Sequence, residues 1–217
     1  MKRYAAVVFD WDGTVMDSTH TIVAAIQASC ADLGLPVPTA ADASWVIGLS
    51  LEGALYHAIP SLTPEKMPLF LQRYRIHFLS RDPDLKLFDG VASLFVALKA
   101  HGVRLAVATG KSRAGLDRAL NSLNLRDQFD ATRCADESFS KPHPGMLLEL
   151  MHELDLAPEQ LVMVGDTVHD VQMASNAGVD SMAVTYGAHD KQTLVAAAPT
   201  VLVSSVREMR TWLIDRV

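Results

Sequence analysis

Tyr4-Ala5-Ala6-Val7-Val8-Phe9, running directly into Asp10-Trp11-Asp12-Gly13-Thr14, sets how the rest of the chain is read. The apolar run shows no polar alternation, the pattern of a strand buried on both faces in a parallel sheet covered by helices. The acids that follow then stand at the carboxyl end of that strand, where open α/β sheets bind their ligands. If extended geometry persists to Asp12, the i, i+2 spacing puts both carboxylates on one side of the chain. Two acids facing the same way repel one another unless a cation or a shared proton relieves them.

Outward from this stretch, a helix is expected from Asp17 or Ser18, both good N-cap types, with Ile22, Ile26, Cys30 and Leu33 at helical spacing. Trp45, Ile47, Leu51, Leu55 and Ile59 also space as helices, as do Met67, Leu69, Phe70, Tyr74 and Phe78, with prolines as punctuation. No buried strand pattern lies between about Asp17 and Asp84, so this segment reads as an all-helical insertion. From Phe88 onward strands and helices alternate. Strands are expected at Val103–Ala108, near Phe129–Arg133, and at Leu161–Val164, Ser181–Val184 and Val201–Val203. The fold class is therefore α/β, a Rossmann-like doubly wound parallel sheet with an inserted small α-helical domain. Residues 1–16 and 85–217 would form the core, and residues 17–84 the insertion.

Composition narrows the function. The 217 residues carry 19 basic and 25 acidic side chains, a net charge of −6, and 49% apolar residues, enough to fill a core. The acidic balance argues against a general nucleic-acid binder. The longest stretch without a charge, Gln192–Val206, is 15 residues and holds Pro199 and several hydroxyls, whereas a membrane helix needs about 20 apolar residues. Met1-Lys2-Arg3 has the charge of a signal-peptide start, but the apolar run after it is short and meets Asp10 and Asp12. Cys30 and Cys134 lie 104 residues apart and outside any CxxC pattern, so they read as small core residues. A cytoplasmic protein is expected, and the eight histidines show no zinc-site spacing.

Other strand ends add to the first. Gly165-Asp166-Thr167-Val168-His169-Asp170 brings two more acids to the same edge. Thr109-Gly110-Lys111-Ser112 offers a hydroxyl and backbone donors at a helix start, which suits an anion. Ser140-Lys141-Pro142 presents a lysine just before the next helix. Hard oxygen ligands suit Mg²⁺, which takes a few carboxylates and leaves positions for water and phosphate. Thr109 and Lys141 suit the phosphate, and a carboxylate can itself serve as nucleophile.

These motifs, in this order and over about 160 residues, resemble those of the haloacid dehalogenase superfamily. The similarity is to its phosphatase branch with a small helical cap, phosphoglycolate phosphatases being the nearest label, and it covers nearly the whole chain. It implies Asp10 as nucleophile, and Asp12 as general acid toward the leaving alkoxide and then as base on the hydrolytic water. It implies Mg²⁺ held by the Asp10 carboxylate, the Asp12 backbone carbonyl and Asp166, with Asp170 behind them orienting a bound water or Lys141. Thr109 and the Gly110 amide would hold phosphoryl oxygens, and Lys141 would offset charge on Asp10 and the transferring group.

The acid at position 12 favours phosphate esters, because the halide leaving group of a dehalogenase needs no proton. Val46-Ile47-Gly48-Leu49-Ser50-Leu51-Glu52 resembles the glycine-containing turn that related caps aim at the leaving group, which makes Gly48 a candidate substrate residue. Lys111 is a further candidate, able to recognise an acidic leaving group. The expected partner is a small phosphorylated metabolite, with no nucleic acid and no membrane, and the expected state is a monomer or homodimer. A sugar phosphomutase, a nucleotidase or a pyrophosphatase of the same fold, and a non-catalytic binding module, remain alternatives.

Overall fold

A computed structural model describes residues 4–217, the side chains of Leu51, Glu52 and Pro83 excepted. Met1-Lys2-Arg3 and the side chains of Leu51 and Glu52 in the expected substrate turn thus lie outside the described residues. Strand β1 spans Ala6–Phe9 and is followed by four helices, α1 (Thr19–Asp32), α2 (Ala40–Trp45), α3 (Leu51–Ala58) and α4 (Met67–Leu79). Alternation then begins with α5 (Val91–Ala100), β2 (Arg104–Thr109), α6 (Arg113–Ser122) and β3 (Ala131–Cys134). It continues with α7 (Gly145–Leu154), β4 (Leu161–Gly165), α8 (Val168–Asn176) and β5 (Asp180–Val184). Helix α9 (Lys191–Ala196), strand β6 (Val201–Val203) and helix α10 (Val206–Ile214) end the chain.

The six strands form one sheet in the order β3-β2-β1-β4-β5-β6, every pair parallel. The strand order reverses direction at β1 and β4, and at such a switch point a crevice opens beyond the carboxyl ends of the strands. Phe9 is in register with Val107 on one side and Val164 on the other. Asp10, Thr109 and Asp166 are thereby brought to one edge of the sheet.

Alternate strand residues fill opposite faces, as the period of two demands. Val7, Phe9, Leu105, Val107, Val162 and Val164 pack with α5, α6 and α10. Ala6, Val8, Ala106, Ala108, Leu161 and Met163 pack with α7 and α8. The four helices after β1 bury a cluster of their own, in which Ile22, Ile26 and Cys30 of α1 meet Phe70 and Phe78 of α4. The segments leading into and out of these helices lie side by side, with Asp17 donating its N–H to the Lys86 carbonyl and Phe88 to that of Val15. Cys30 and Cys134 are buried free thiols. Among the described residues no helix is long and apolar enough to cross a membrane.

Candidate active site

Asp10 continues β1 toward β4, its N–H donating to the Val164 carbonyl at 2.8 Å. Lys141 Nζ donates to Asp10 Oδ1 at 2.5 Å and to Asp170 Oδ1 at 2.6 Å, and all three side chains are out of contact with water. Asp170 is fixed by a capping box at the start of α8, where its Oδ2 accepts from the Thr167 N–H at 3.1 Å and the Thr167 hydroxyl at 2.6 Å. Asp166 accepts from the Thr14 hydroxyl at 2.9 Å and the Ala188 N–H at 2.6 Å. Asp10, Asp166 and Asp170 each offer an oxygen within 4.8 Å of the others.

Burial pushes the Asp10 carboxyl well up, the Asp170 and Asp166 charges add to that, and Lys141 offsets part of it. Burial, then the Asp170 charge, raises Asp166 to about 7. Lys141 moves up despite its burial, because the charges of Asp10 and Asp170 outweigh the loss of water. Three buried carboxylates thus face one ammonium, leaving an excess of negative charge in a water-poor site. Asp10 Oδ2 is moreover buried with no hydrogen-bond partner among the described residues, an uncommon condition for a carboxylate oxygen. A divalent cation with a preference for hard oxygen would answer both, so the residues present fit a metal ion of the Mg²⁺ type.

Asp12 has a different set of partners from Asp10. Its Oδ1 accepts from the Ser18 hydroxyl at 2.6 Å, and Lys111 Nζ donates to Oδ1 at 2.9 Å and Oδ2 at 2.8 Å. Ser18 stands at the N-cap of α1 as its residue type foretells, yet its hydroxyl serves Asp12 and makes no cap bond. Lys111 also lies 5.0 Å from the Phe78 ring centroid, within cation–π range. Tyr74 stacks on Phe78 at 5.9 Å; burial and the nearby Asp12 charge push its phenol up. Thr109 accepts the Lys111 N–H at 3.2 Å, which leaves its own O–H free to donate to an anion.

The helices after β1 close over this edge. Gly48 takes φ +88°, open to glycine at little cost, and a Cβ there would stand 3.3 Å from the Thr167 hydroxyl. A Cβ on Gly110 would lie 2.7 Å from the Gly48 carbonyl oxygen and closer still to that of Leu49, so only glycine allows the two turns to touch. The Ser50 N–H donates to Ser140 Oγ at 2.9 Å. Val168 donates its N–H to His189 Nδ1, which puts the His189 proton on Nε2, 3.2 Å from the Trp45 carbonyl. His169 Nε2 reaches the same carbonyl at 2.9 Å, and the Trp45 ring stacks on His189 at 4.6 Å.

The sequence motifs thus converge, but in two groups. Asp10, Asp166, Asp170 and Lys141 form one; Asp12 and Lys111 form the other, with Thr109 and Gly110 beside it and Gly48 against Gly110. Thr14 and Thr167 were passed over as site residues, although Thr14 closes the first motif and Thr167-x-x-Asp170 is a legible capping box. Trp45, Tyr74, Phe78 and His189 carry no local signal, because tertiary packing alone brings them here. His143 stays local, its Nδ1 accepting the Gly145 N–H. Trp11 is buried edge-on to Phe129 in the sheet core.

Residues 7–184 match the haloacid dehalogenase-like hydrolase family. A probable phosphatase, IndB, of Dickeya dadantii is 36% identical over 210 residues, covering 94% of this chain and 90% of that protein. A phosphoglycolate phosphatase of Synechococcus elongatus is 30% identical over 204 residues, 94% of each chain. The crystal structure of a predicted phosphatase from Clostridium acetobutylicum superposes with a TM-score of 0.86 at 26% identity, covering 98% of this chain and 99% of that one. The chain belongs to the haloacid dehalogenase-like hydrolase family, and it is a hydrolase.

Proposed function

We propose that this hydrolase is a Mg²⁺-dependent phosphatase that cleaves a small phosphorylated metabolite through an aspartyl-phosphate on Asp10. The observation that carries the reading is the Asp10 carboxylate, buried at the strand-end crevice with one oxygen held by Lys141 and the other unpartnered. The phosphatase names of the two relatives support the same chemistry, and phosphoglycolate indicates the size of substrate.

In this reading an Asp10 oxygen attacks phosphorus as the bond from phosphorus to the leaving oxygen breaks. Asp12 gives a proton to that oxygen, and later takes one from the water that releases phosphate and restores Asp10. Thr109 and the Gly110 amide bind phosphoryl oxygens, and Lys141, held by Asp170, offsets their charge. Mg²⁺, when bound by Asp10, the Asp12 backbone carbonyl and Asp166, supplies positive charge against the phosphoryl group. Residues 17–84 act as a cap that excludes water, with the Gly48 turn and Lys111 facing the substrate. The enzyme would work in the cytoplasm as a monomer or homodimer.

The test is phosphate release from phosphoglycolate, sugar phosphates, nucleotides and pyrophosphate, with Mg²⁺ or with chelator, for the native chain and Asp10→Asn. Release that needs Mg²⁺ and is lost in Asp10→Asn is expected. Release that survives the substitution overturns the reading.

A further inference from the structure

Lys111 occupies the residue that the phosphatase reading needs as a proton donor. Asp12 must carry a proton toward the leaving oxygen, yet both its oxygens accept from Lys111 and one also accepts from Ser18. An ammonium has donors only, so a proton placed on Asp12 in this arrangement would point a donor at a donor. Lys111 therefore has to leave Asp12 before the acid can act. Its side chain is only 13% exposed, enclosed by Asp12 and by Phe78 of α4, so water is a poor alternative partner. What can draw it away is an anion that arrives with the substrate. Lys141 and the carboxylate group lie with Asp10, which attacks the phosphoryl group in the phosphatase reading. Lys111 lies with Asp12, Tyr74 and Phe78, beside Thr109, and Asp12 is the residue which that reading sets toward the leaving alcohol.

We propose that Lys111 is a specificity-determining residue that exchanges Asp12 for an anionic group on the leaving alcohol, so that a carboxylate-bearing phosphate ester releases the acid which cleaves it. The proposal rests on the phosphatase reading above and names its substrate class. Discrimination is then felt in kcat as well as KM, because a neutral ester leaves Lys111 on Asp12 even when it is bound.

The test compares 2-phosphoglycolate with the isosteric phosphate ester of glycolamide, in Mg²⁺, for the native chain, Lys111→Met and Lys111→Arg. The native enzyme is expected to prefer phosphoglycolate by roughly ten- to a hundredfold in kcat/KM, the range of one charge-assisted hydrogen bond, with part of that in kcat. In Lys111→Met the ratio should collapse toward one, and Lys111→Arg should recover much of it. A native enzyme without preference, a preference confined to KM, or a Lys111→Met variant that loses both substrates equally overturns the proposal while leaving the phosphatase reading intact. The native comparison decides even if Lys111→Met does not fold. No phosphate release from either ester, or from any monoester in the panel above, removes the phosphatase reading itself and this proposal with it.

Discussion

Among the described residues Lys141 is the one cation paired with any of the three buried carboxylates, and its two ion pairs are closed to solvent. Removing one member of such a group leaves charges with neither water nor partner, a loss of about 3–5 kcal/mol. Lys141→Met is therefore expected to lower the stability of the metal-free protein by that order in urea unfolding. An unchanged midpoint would mean that Asp10 and Asp170 find another partner. Residues of this kind were legible because Asp10 and Asp166 sit where an apolar run stops, Asp12 follows two residues after Asp10, and Lys141 stands beside Pro142 just before a helix. The pairing of Lys111 with Asp12 was not, since it joins positions 99 residues apart and depends on how two strand ends meet. Neither did the N-cap type of Ser18 reveal that its hydroxyl turns to Asp12.

Between elements, the contact that matters most is the one between the turn after β2 and the turn after α2. Gly110 and the Gly48–Leu49 carbonyls touch with no room for a side chain. Gly110→Ala should push these turns apart, disturbing both the amide proposed to bind phosphate and the closure of the helices. We expect kcat/KM for phosphate esters to fall roughly 10–100-fold, the scale of an ångström-sized misplacement, with unfolding still cooperative. Wild-type kinetics in Gly110→Ala would show that the turns do not work in contact. The strands and most helices were readable from periodicity, even though propensity leaves ends uncertain. Helix α9 was missed: six residues, Lys191–Ala196, are too few for a helical period to show, and its start depends on an Asp190 side chain accepting the Thr193 N–H. The closeness of α4 to Asp12 also went unread, because Tyr74 and Phe78 are spaced like ordinary core residues.

Over the whole molecule, the site stores an excess of negative charge that a divalent cation would relieve. Asp166 shows it most directly, raised from 3.8 to about 7 by burial and by Asp170. An acid whose folded value lies above its unfolded one contributes stability below about 4, lost as pH rises through about 7. The metal-free protein should therefore lose stability over that window. A cation needs the ionised carboxylate and competes with the proton, so Mg²⁺ should raise Tm more at pH 8 than at pH 6. Each kcal/mol of binding stabilisation is worth roughly 2–4 °C for a chain of this size. Melting curves with Mg²⁺ and with chelator check it, and equal shifts at both pH values would contradict the assignment of Asp166. The covalent role of Asp10 is tested most directly by acid quench of Asp12→Asn mixed with acetyl phosphate labelled at phosphorus. Acetate leaves without needing a proton, so phosphorylation should proceed, while hydrolysis of the phosphoenzyme should be slowed about 10²–10⁴-fold by loss of the base. We predict label trapped on the peptide that contains Asp10 and absent when Asp10→Asn is added. Phosphate released with no labelled protein at any time would contradict an aspartyl-phosphate on Asp10.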